Sequence, residues 1–333
     1  MAYAINVSEV NMKRIIITFG IMFLVMILIL VIAFNIKNEK PTNSEEKIKI
    51  VATLFPQYDF AKQIGGDLVE VSLLLPPGTD VHTYDPTPKD IVSINKSNIF
   101  LYTGSQMEPW ASNIAQNLND DLRIVDVAAG IELLEGEEAH DEDLHEGDHD
   151  EDVHDHDHEK DPHIWLDINN AKVMVKNICE KLCAMDNINS DVYTKNAEEY
   201  IKKLSELDND FERTINNGKR KKIAFGDKFA YSYFINRYKI DYISAYEGCS
   251  ESAEPSISKI ISIEKDINKE KIPVIFYESL SEGKIAKNIA NKTGIKALVF
   301  SSVHNVSSEE LKNGITYIDI MEQNRINLEK AVN

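Results

Sequence analysis

One stretch of this chain cannot contribute to a hydrophobic core. Residues 132–160 contain fifteen carboxylates and one lysine, so they carry −14 of the formal net charge of −19 of the 333-residue chain. A segment this charged cannot bury enough apolar surface to offset the entropy that is lost on ordering it. We therefore predict an exposed loop at 131–160, and the folded body must come from the sequence on either side of it.

The same stretch is rich in histidine. It holds six of the nine histidines of the chain: His140, His145, His149, His154, His156 and His158. Neutral imidazoles interleaved with carboxylates are good ligands for zinc and neighbouring transition metals. A solvated acidic insert that only keeps the protein soluble is the simpler alternative. The alternation of histidine and aspartate at 154–158 favours auxiliary metal binding.

Elsewhere, short apolar runs alternate with amphipathic helical patterns, which indicates parallel βαβ units. Strands are predicted at 47–55, 68–75, 98–103, 122–127, 222–225, 240–245, 273–277 and 297–300. Helices are predicted at 57–65, 88–96, 108–118, 169–185, 229–238, 256–269, 283–293 and 308–329.

The longest helical pattern runs over 191–217, without Gly or Pro. Apolar side chains recur there at steps of three and four: Tyr193, Ala197, Tyr200, Leu204, Leu207, Phe211 and Ile215. Such a stripe predicts one amphipathic helix of about 39 Å, long enough to connect two domains. The predicted fold class is therefore α/β, with two (βα) lobes, each built on a mainly parallel sheet, joined by one long linking helix.

The N-terminal region predicts export. Lys13 and Arg14 precede an apolar run at 15–34, long enough for a membrane-spanning helix, and positive charge before such a run favours translocation of the chain beyond it. No small-residue cleavage site comes after the run. We expect an uncleaved anchor that holds the protein on the outer face of the cell membrane; a cleaved signal and a secreted product is the alternative.

The cysteines and the charge exclude other classes. Three cysteines, Cys179, Cys183 and Cys249, rule out a complete disulfide framework, and none lies near the apolar run to carry a lipid. Cys179 and Cys183 are expected to be buried reduced thiols. The strong negative charge argues against nucleic acid as a partner.

The expected organisation combines these features. It consists of an extension at 1–12 (Met12 being an alternative start), the membrane segment at 13–36, a tether at 37–47, a first lobe at 48–130 with 161–168, the acidic loop at 131–160, linking helices at 169–219 and a second lobe at 220–333.

The three remaining histidines all lie where a ligand site is expected. His82 follows the strand at 68–75, His163 follows the acidic loop, and His304 follows the strand at 297–300. Open α/β sheets bind ligands beyond the carboxyl ends of their strands. A single loop histidine is usually only solvated, but three in such positions predict a shared metal site.

Two motifs surround the first two of these histidines. Residues 76–88 read P-x-G-x-D-x-H-x-Y-x-P-x-P and residues 161–167 read D-P-H-x-W-L-D. With the His-rich loop between them, they resemble the zinc and manganese solute-binding proteins of ABC transporters, over residues 48–330. The resemblance implies that a metal ion is held in the cleft between two lobes, and we expect the protein to be a monomer. It also implies delivery of the ion to a membrane permease and its ATPase, without catalysis.

The resemblance makes His82 and His163 the first two ligands. The family's third ligand, usually His or Glu, should follow the strand at 222–225, where this chain has Gly226 instead. Asp227, the next residue, is the nearest group able to replace it.

The fourth ligand of the family, usually Asp or Glu, should follow the strand at 297–300. Ser301 and Ser302 stand there, and His304 is two residues further on. We predict His304 as a ligand, with Glu251 and Glu254 as further candidates; Glu254 could instead only stabilise a helix N-terminus.

Three imidazoles and one carboxylate suit Zn²⁺, whereas Mn²⁺, the alternative, prefers more carboxylates. Two other functions stay open from the residues. A membrane-tethered zinc buffer or sensor would use the acidic loop alone. An extracellular zinc hydrolase would need a general base beside the metal, and no H-E-x-x-H motif is present.

Overall fold

The computed structural model describes residues 47–117, 124–136, 160–246, 248 and 254–333, together with Met22, Met26 and Ile27. Most of the predicted membrane segment, the six histidines of the acidic loop, Cys249 and Glu251 lie outside this part. Among the described residues, no helix has both the length and the apolar composition needed to cross a bilayer. The described residues from Ile48 onward belong to one unit.

The first lobe is built on a parallel four-stranded sheet with the order β2-β1-β3-β4. Its elements are β1 (Ile48–Ala52), α1 (Phe55–Gly65), β2 (Val69–Leu73), α2 (Pro88–Lys96), β3 (Ile99–Tyr102), α3 (Gly104–Met107), α4 (Pro109–Asn117) and β4 (Ile124–Asp126). Because all strands run the same way, the turns after β1 and β2 open at one edge of the sheet.

Two long helices lead out of this lobe. They are α5 (Ile168–Met185) and α6 (Ser190–Asn217). All seven apolar side chains of the predicted stripe are buried along α6, so the prediction of one amphipathic linking helix is confirmed. On α5, Cys179 and Cys183 are free thiols with their Sγ atoms 3.9 Å apart; the first is buried and the second half-buried.

The second lobe repeats the strand order of the first, as β6-β5-β7-β8, again all parallel. Its elements are β5 (Lys222–Phe225), α7 (Ser232–Tyr238), β6 (Asp241–Ser244), α8 (Ile257–Glu270), β7 (Val274–Tyr277), α9 (Lys284–Thr293), β8 (Lys296–Val299), α10 (Ser308–Lys312) and α11 (Tyr317–Val332). The predicted fold class, two parallel α/β lobes and a long linking helix, is confirmed.

The predicted single helix at 308–329 was wrong, because the chain forms α10 and α11 instead. Gly314 adopts a positive φ of 74°, which ends the first helix. Thr316 then starts the second, since its hydroxyl accepts from the backbone N–H of Asp319 and the Asp319 carboxylate accepts from the backbone N–H of Thr316.

A continuous hydrophobic core connects the lobes. It runs from Ile50 in β1 through Trp165 to Phe300, just after β8. The indole Nε1 of Trp165 donates to the carbonyl oxygen of Ser302 at 2.7 Å, and the hydroxyl of Tyr317 donates to the carbonyl oxygen of Trp165 at 2.6 Å. The motif residue Trp165 therefore joins the segment that carries His163 to the second lobe.

Candidate metal centre

The fold brings the histidines that lie outside the acidic loop to one inter-lobe cleft. His82 lies in a short 3₁₀ turn after β2, and His163 directly precedes another, Ile164–Leu166. Their ring centroids are 5.4 Å apart. His304 enters from the second lobe, after β8, and His82 and His163 are both close enough to lower its pKa.

Asp161 fixes the imidazole of His163. One carboxylate oxygen, Oδ1, is 2.8 Å from both the backbone nitrogen and the ring Nδ1 of His163. Burial alone would raise the pKa of Asp161, but the charge of His163 and hydrogen bonds from it bring that pKa below its usual value. A carboxylate can only accept, so Nδ1 carries a proton, and in the neutral imidazole Nε2 is then the nitrogen whose lone pair can bind a metal.

His304 is buried and is held by a neighbouring hydroxyl, since its Nδ1 is hydrogen-bonded to Oγ of Ser302. Burial lowers the pKa of His304 to about 4, and Glu278 acts in the opposite direction. The imidazole is therefore neutral at pH 7 and needs to lose no proton before it can bind a metal ion.

His82, in contrast, is exposed to solvent. The carboxylate of Asp80 caps its turn by accepting from the backbone N–H of His82 at 2.9 Å. After the turn, the hydroxyl of Tyr84 donates to Asp90 at 2.8 Å, and Asp90 in turn caps the start of α2 with Thr87. The motif at 76–88 is thus a turn followed by a helix start, which fixes the backbone on both sides of an exposed imidazole.

The cleft encloses a cavity of about 220 Å³. Its wall includes two of the histidines, three carboxylates and one lysine: His82, His304, Asp80, Asp227, Glu278 and Lys228. His163 contacts this wall through His82. A cavity of this size with this lining suits a small hydrated cation better than an organic substrate.

Asp227 is a half-buried carboxylate on the wall of the second lobe. Its Oδ1 accepts from the backbone N–H of Lys228 at 3.0 Å, and its Oδ2 accepts from the hydroxyl of Ser281. These two donors leave part of its acceptor capacity for a cation, because a carboxylate has about four lone-pair positions.

Glu278 lines the same cavity and was missed from the sequence. Its Oε1 accepts from the backbone N–H and the hydroxyl of Ser279, both at 2.8 Å. Its Oε2 accepts from the hydroxyl of Tyr231 at 3.0 Å and from the backbone N–H of Ser302 at 2.9 Å. Its place directly after β7 is visible in the sequence, but one carboxylate among the 55 of the chain does not stand out there.

Gly226 has no room for a side chain. A Cβ there would lie 2.7 Å from both Cα and Cβ of Ala286 in α9, and 2.9 Å from Cδ1 of Ile275 in β7. The packing of the second lobe therefore excludes a third ligand at position 226. No ligating side chain could occupy this position without displacing the backbone of α9.

The described groups do not already form a closed coordination shell. Among the residues that the structure describes, no three His, Cys, Asp or Glu side chains are arranged to hold a metal ion. Glu254 is exposed and lies off the cavity wall. Glu251 and the six histidines of the acidic loop lie outside the described residues.

Comparison with known proteins identifies the family. Residues 50–331 match the family described as zinc-uptake complex component A, periplasmic (ZnuA). The chain belongs to the ZnuA family. It is 33% identical over 280 residues to the high-affinity zinc uptake system protein ZnuA of Bacillus subtilis, an alignment that covers 84% of this chain and 86% of that protein.

Two further relatives support the membership. The zinc-binding protein AdcA of Streptococcus pyogenes serotype M3 is 31% identical over 297 residues; the match covers 88% of this chain but only 57% of AdcA. The crystal structure of the Zn(II)-bound ZnuA-like domain of Streptococcus pneumoniae AdcA is 27% identical, with a TM-score of 0.71 over 86% of this chain and 99% of that domain.

In this ZnuA-family protein the base of the acidic loop lies beside the cleft. Glu135 and Lys160 form an antiparallel bridge, and the Nζ of Lys160 is 2.8 Å from Oε1 of Glu135. The hydroxyl of Tyr233 accepts from the backbone N–H of Leu134 and donates to the carbonyl oxygen of Asp161. Both ends of the loop are thus joined next to the residue that orients His163.

Proposed function

We propose that this protein is an extracytoplasmic zinc receptor, which captures Zn²⁺ in its inter-lobe cleft and delivers it to the permease of an ABC transporter. One observation carries the proposal: in a member of the ZnuA family, His82 and His304 from different lobes line one small cavity, and His163 lies against His82. The transport role rests on the family and the binding role on the imidazoles.

The proposed ligands are His82, His163, His304 and Asp227. Asp227 is preferred to Glu278 because of hydrogen bonding. Glu278 already accepts three hydrogen bonds from Ser279 and Ser302 and shares the proton of the Tyr231 hydroxyl with the carbonyl oxygen of Phe300, whereas Asp227 accepts two. Binding a cation through Glu278 would therefore break contacts that hold the cleft together, and binding through Asp227 would not.

Zn²⁺ is the proposed cargo in preference to Mn²⁺. Three nitrogen ligands and one carboxylate are typical of zinc and unusual for manganese, which favours oxygen ligands. His82, the exposed ligand, is expected to turn toward the two buried imidazoles as the ion enters, which completes a shell that is open without it.

The acidic loop and the N-terminal segment have supporting roles in this proposal. The loop gathers Zn²⁺ on its six histidines at low metal concentration and passes it to the cleft, next to which both its ends are held. The apolar run at 15–34 anchors the protein on the outer membrane face, with 37–47 as a tether to the first lobe.

One alternative, a membrane-tethered zinc buffer that uses the loop alone, is favoured by the density of histidine there. A loop-deleted variant separates the two functions. Replacing 137–159 by Asn-Gly keeps the Glu135–Lys160 bridge and leaves His82, His163 and His304 as the only histidines of the chain.

The experiment is a competitive Zn²⁺ titration of the full chain, the loop-deleted variant, and the loop-deleted variant with His163→Ala. The receptor function predicts that the loop-deleted variant keeps one tight site, and that His163→Ala removes it. Loss of all tight binding on loop deletion would contradict the receptor function and favour the buffer.

A further inference from the structure

The loop that carries His304 belongs to the second lobe in sequence but binds the first. We call residues 301–306 the cross-lobe loop. The backbone N–H of Phe55 donates to the carbonyl oxygen of His304 at 3.2 Å, and that of Gly78 donates to Val306 at 2.9 Å. With the hydrogen bond from Trp165 to Ser302, three segments of the first lobe are bound to this loop.

Asn305 fastens the cross-lobe loop to the turn that precedes His82. Its Nδ2 donates to the carbonyl oxygens of Pro76, at 2.8 Å, and Thr79, at 2.9 Å. Its Oδ1 accepts from the backbone N–H of Val306 at 2.8 Å. The cross-lobe loop therefore contacts the segments that carry both other imidazoles, through Asn305 on one side and Ser302 on the other.

Between these two contacts the backbone is strained. Val303 has a φ of 63°, in the left-handed region that a β-branched residue very rarely adopts, and its side chain is fully buried. Two hydrogen bonds hold this conformation. The backbone N–H of Val303 donates to Oγ of Ser301 at 3.1 Å, and the backbone N–H of Ser302 donates to Glu278. Ser301 is in turn held by Asn324 on α11.

We propose that Val303 is a positioning residue, whose left-handed backbone lets Ser302 and Asn305 bind the first lobe while His304 faces the cleft. The proposal rests on the proposed function, because it assigns a role in holding the metal. The hydrogen bonds on either side of Val303 hold this conformation against the preference of valine, and the conformation fixes the distance from His304 to the two other imidazoles. A glycine at 303 would adopt the same backbone without strain.

The test compares Val303→Gly with Val303→Ala. Both variants lose the buried isopropyl group, but only glycine adopts a φ near 63° without strain. At an ordinary buried position the alanine variant is the more stable. Here the metal-free glycine variant should have the higher Tm, because the strain is relieved. The alanine variant, in which strain favours departure from this conformation, should have a Kd for Zn²⁺ about tenfold weaker than that of the glycine variant, a loss typical of disturbed support around a ligand.

A spectroscopic readout separates positioning from stability. In the Co²⁺-loaded glycine variant, the visible d–d bands should match those of the wild type, whereas in the alanine variant they should change in intensity as His304 leaves its fixed position. Asn305→Ala keeps the strained backbone at Val303 but removes the hydrogen bonds to the turn that precedes His82. This variant should also weaken Zn²⁺ binding.

Two results would overturn the proposal. One is a metal-free glycine variant with a lower Tm than the alanine variant, which would mean that position 303 is not strained. The other is equal Zn²⁺ affinity and equal Co²⁺ spectra in the two variants. Failure of the wild type to bind Zn²⁺ tightly is a separate outcome and would contradict the proposed function itself.

Discussion

Asp161 binds His163 at two atoms of the same residue, the backbone nitrogen and the ring Nδ1, both 2.8 Å from one carboxylate oxygen. The contact sets the ring orientation and the tautomer together. A ligand imidazole supported in this way is also a stronger base toward a metal ion. The aspartate that opens the motif at 161–167 therefore has a defined physical role.

Removal of this carboxylate should weaken zinc binding. We expect Asp161→Ala to raise the Kd for Zn²⁺ about 10- to 100-fold, because His163 loses its fixed tautomer. Isothermal titration of the loop-deleted protein would measure it. Asp241→Ala, at an exposed position on β6, is the control and should leave the Kd unchanged. Unchanged affinity in Asp161→Ala would show that the pair does not orient a ligand.

The buried imidazole of His304 should make the metal-free protein sensitive to acid. Its pKa is lowered from about 6.5 to about 4, so between these values the unfolded chain binds a proton that the folded protein does not. This group's contribution is fully present above pH 6.5 and is lost as the pH falls toward 4, by roughly 3 kcal/mol. His304→Phe should lack this loss.

Glu108 acts in the opposite sense over an overlapping range. Burial raises its pKa from 4.5 to about 7, so the folded protein binds the extra proton, and the contribution to stability is full below pH 4.5 and lost as the pH rises through 7. Glu108→Gln should remove roughly 3 kcal/mol of this pH dependence. Urea unfolding of the wild type and both variants from pH 4.5 to 8 would separate the two groups. Parallel pH profiles for the wild type and a variant would contradict the assignment for that residue.

The absence of a side chain at position 226 also has a testable consequence. Gly226→Ala should destabilise the protein by about 1–3 kcal/mol, since its Cβ would overlap α9. Gly248→Ala is a matched control, because a Cβ there meets nothing within 4 Å. Urea unfolding would measure both. Equal stability of the two variants would mean that α9 can move and that position 226 could accept a ligand.

Much of the fold could be predicted from the sequence, because periodicity reports burial directly. The stripe on α6 is buried at every predicted position, and Pro88–Lys96 and Lys222–Phe225 have the predicted bounds. The split between α10 and α11 was missed, although Gly314 and the cap formed by Thr316 and Asp319 are local signals. An apolar pattern that continued across the break concealed them.

The site was only partly predictable. Histidines after predicted strands could be recognised one by one, because parallel strands direct their ends to one edge. The role of Glu278 could not be predicted, because it depends on hydrogen bonds from Tyr231 and Ser302, which are distant in sequence. The strain at Val303 was also hidden, because a left-handed valine is set by tertiary contacts against its own local preference.

In the proposed function, imidazoles from both lobes hold a single ion. The most direct measurement is the zinc K-edge X-ray absorption spectrum of the loop-deleted protein with one equivalent of Zn²⁺, alongside the same variant with His304→Ala. We predict three imidazole nitrogens and one carboxylate oxygen around the zinc, and one imidazole fewer in the alanine variant. An all-oxygen shell, or the same number of imidazoles in both proteins, would contradict this function.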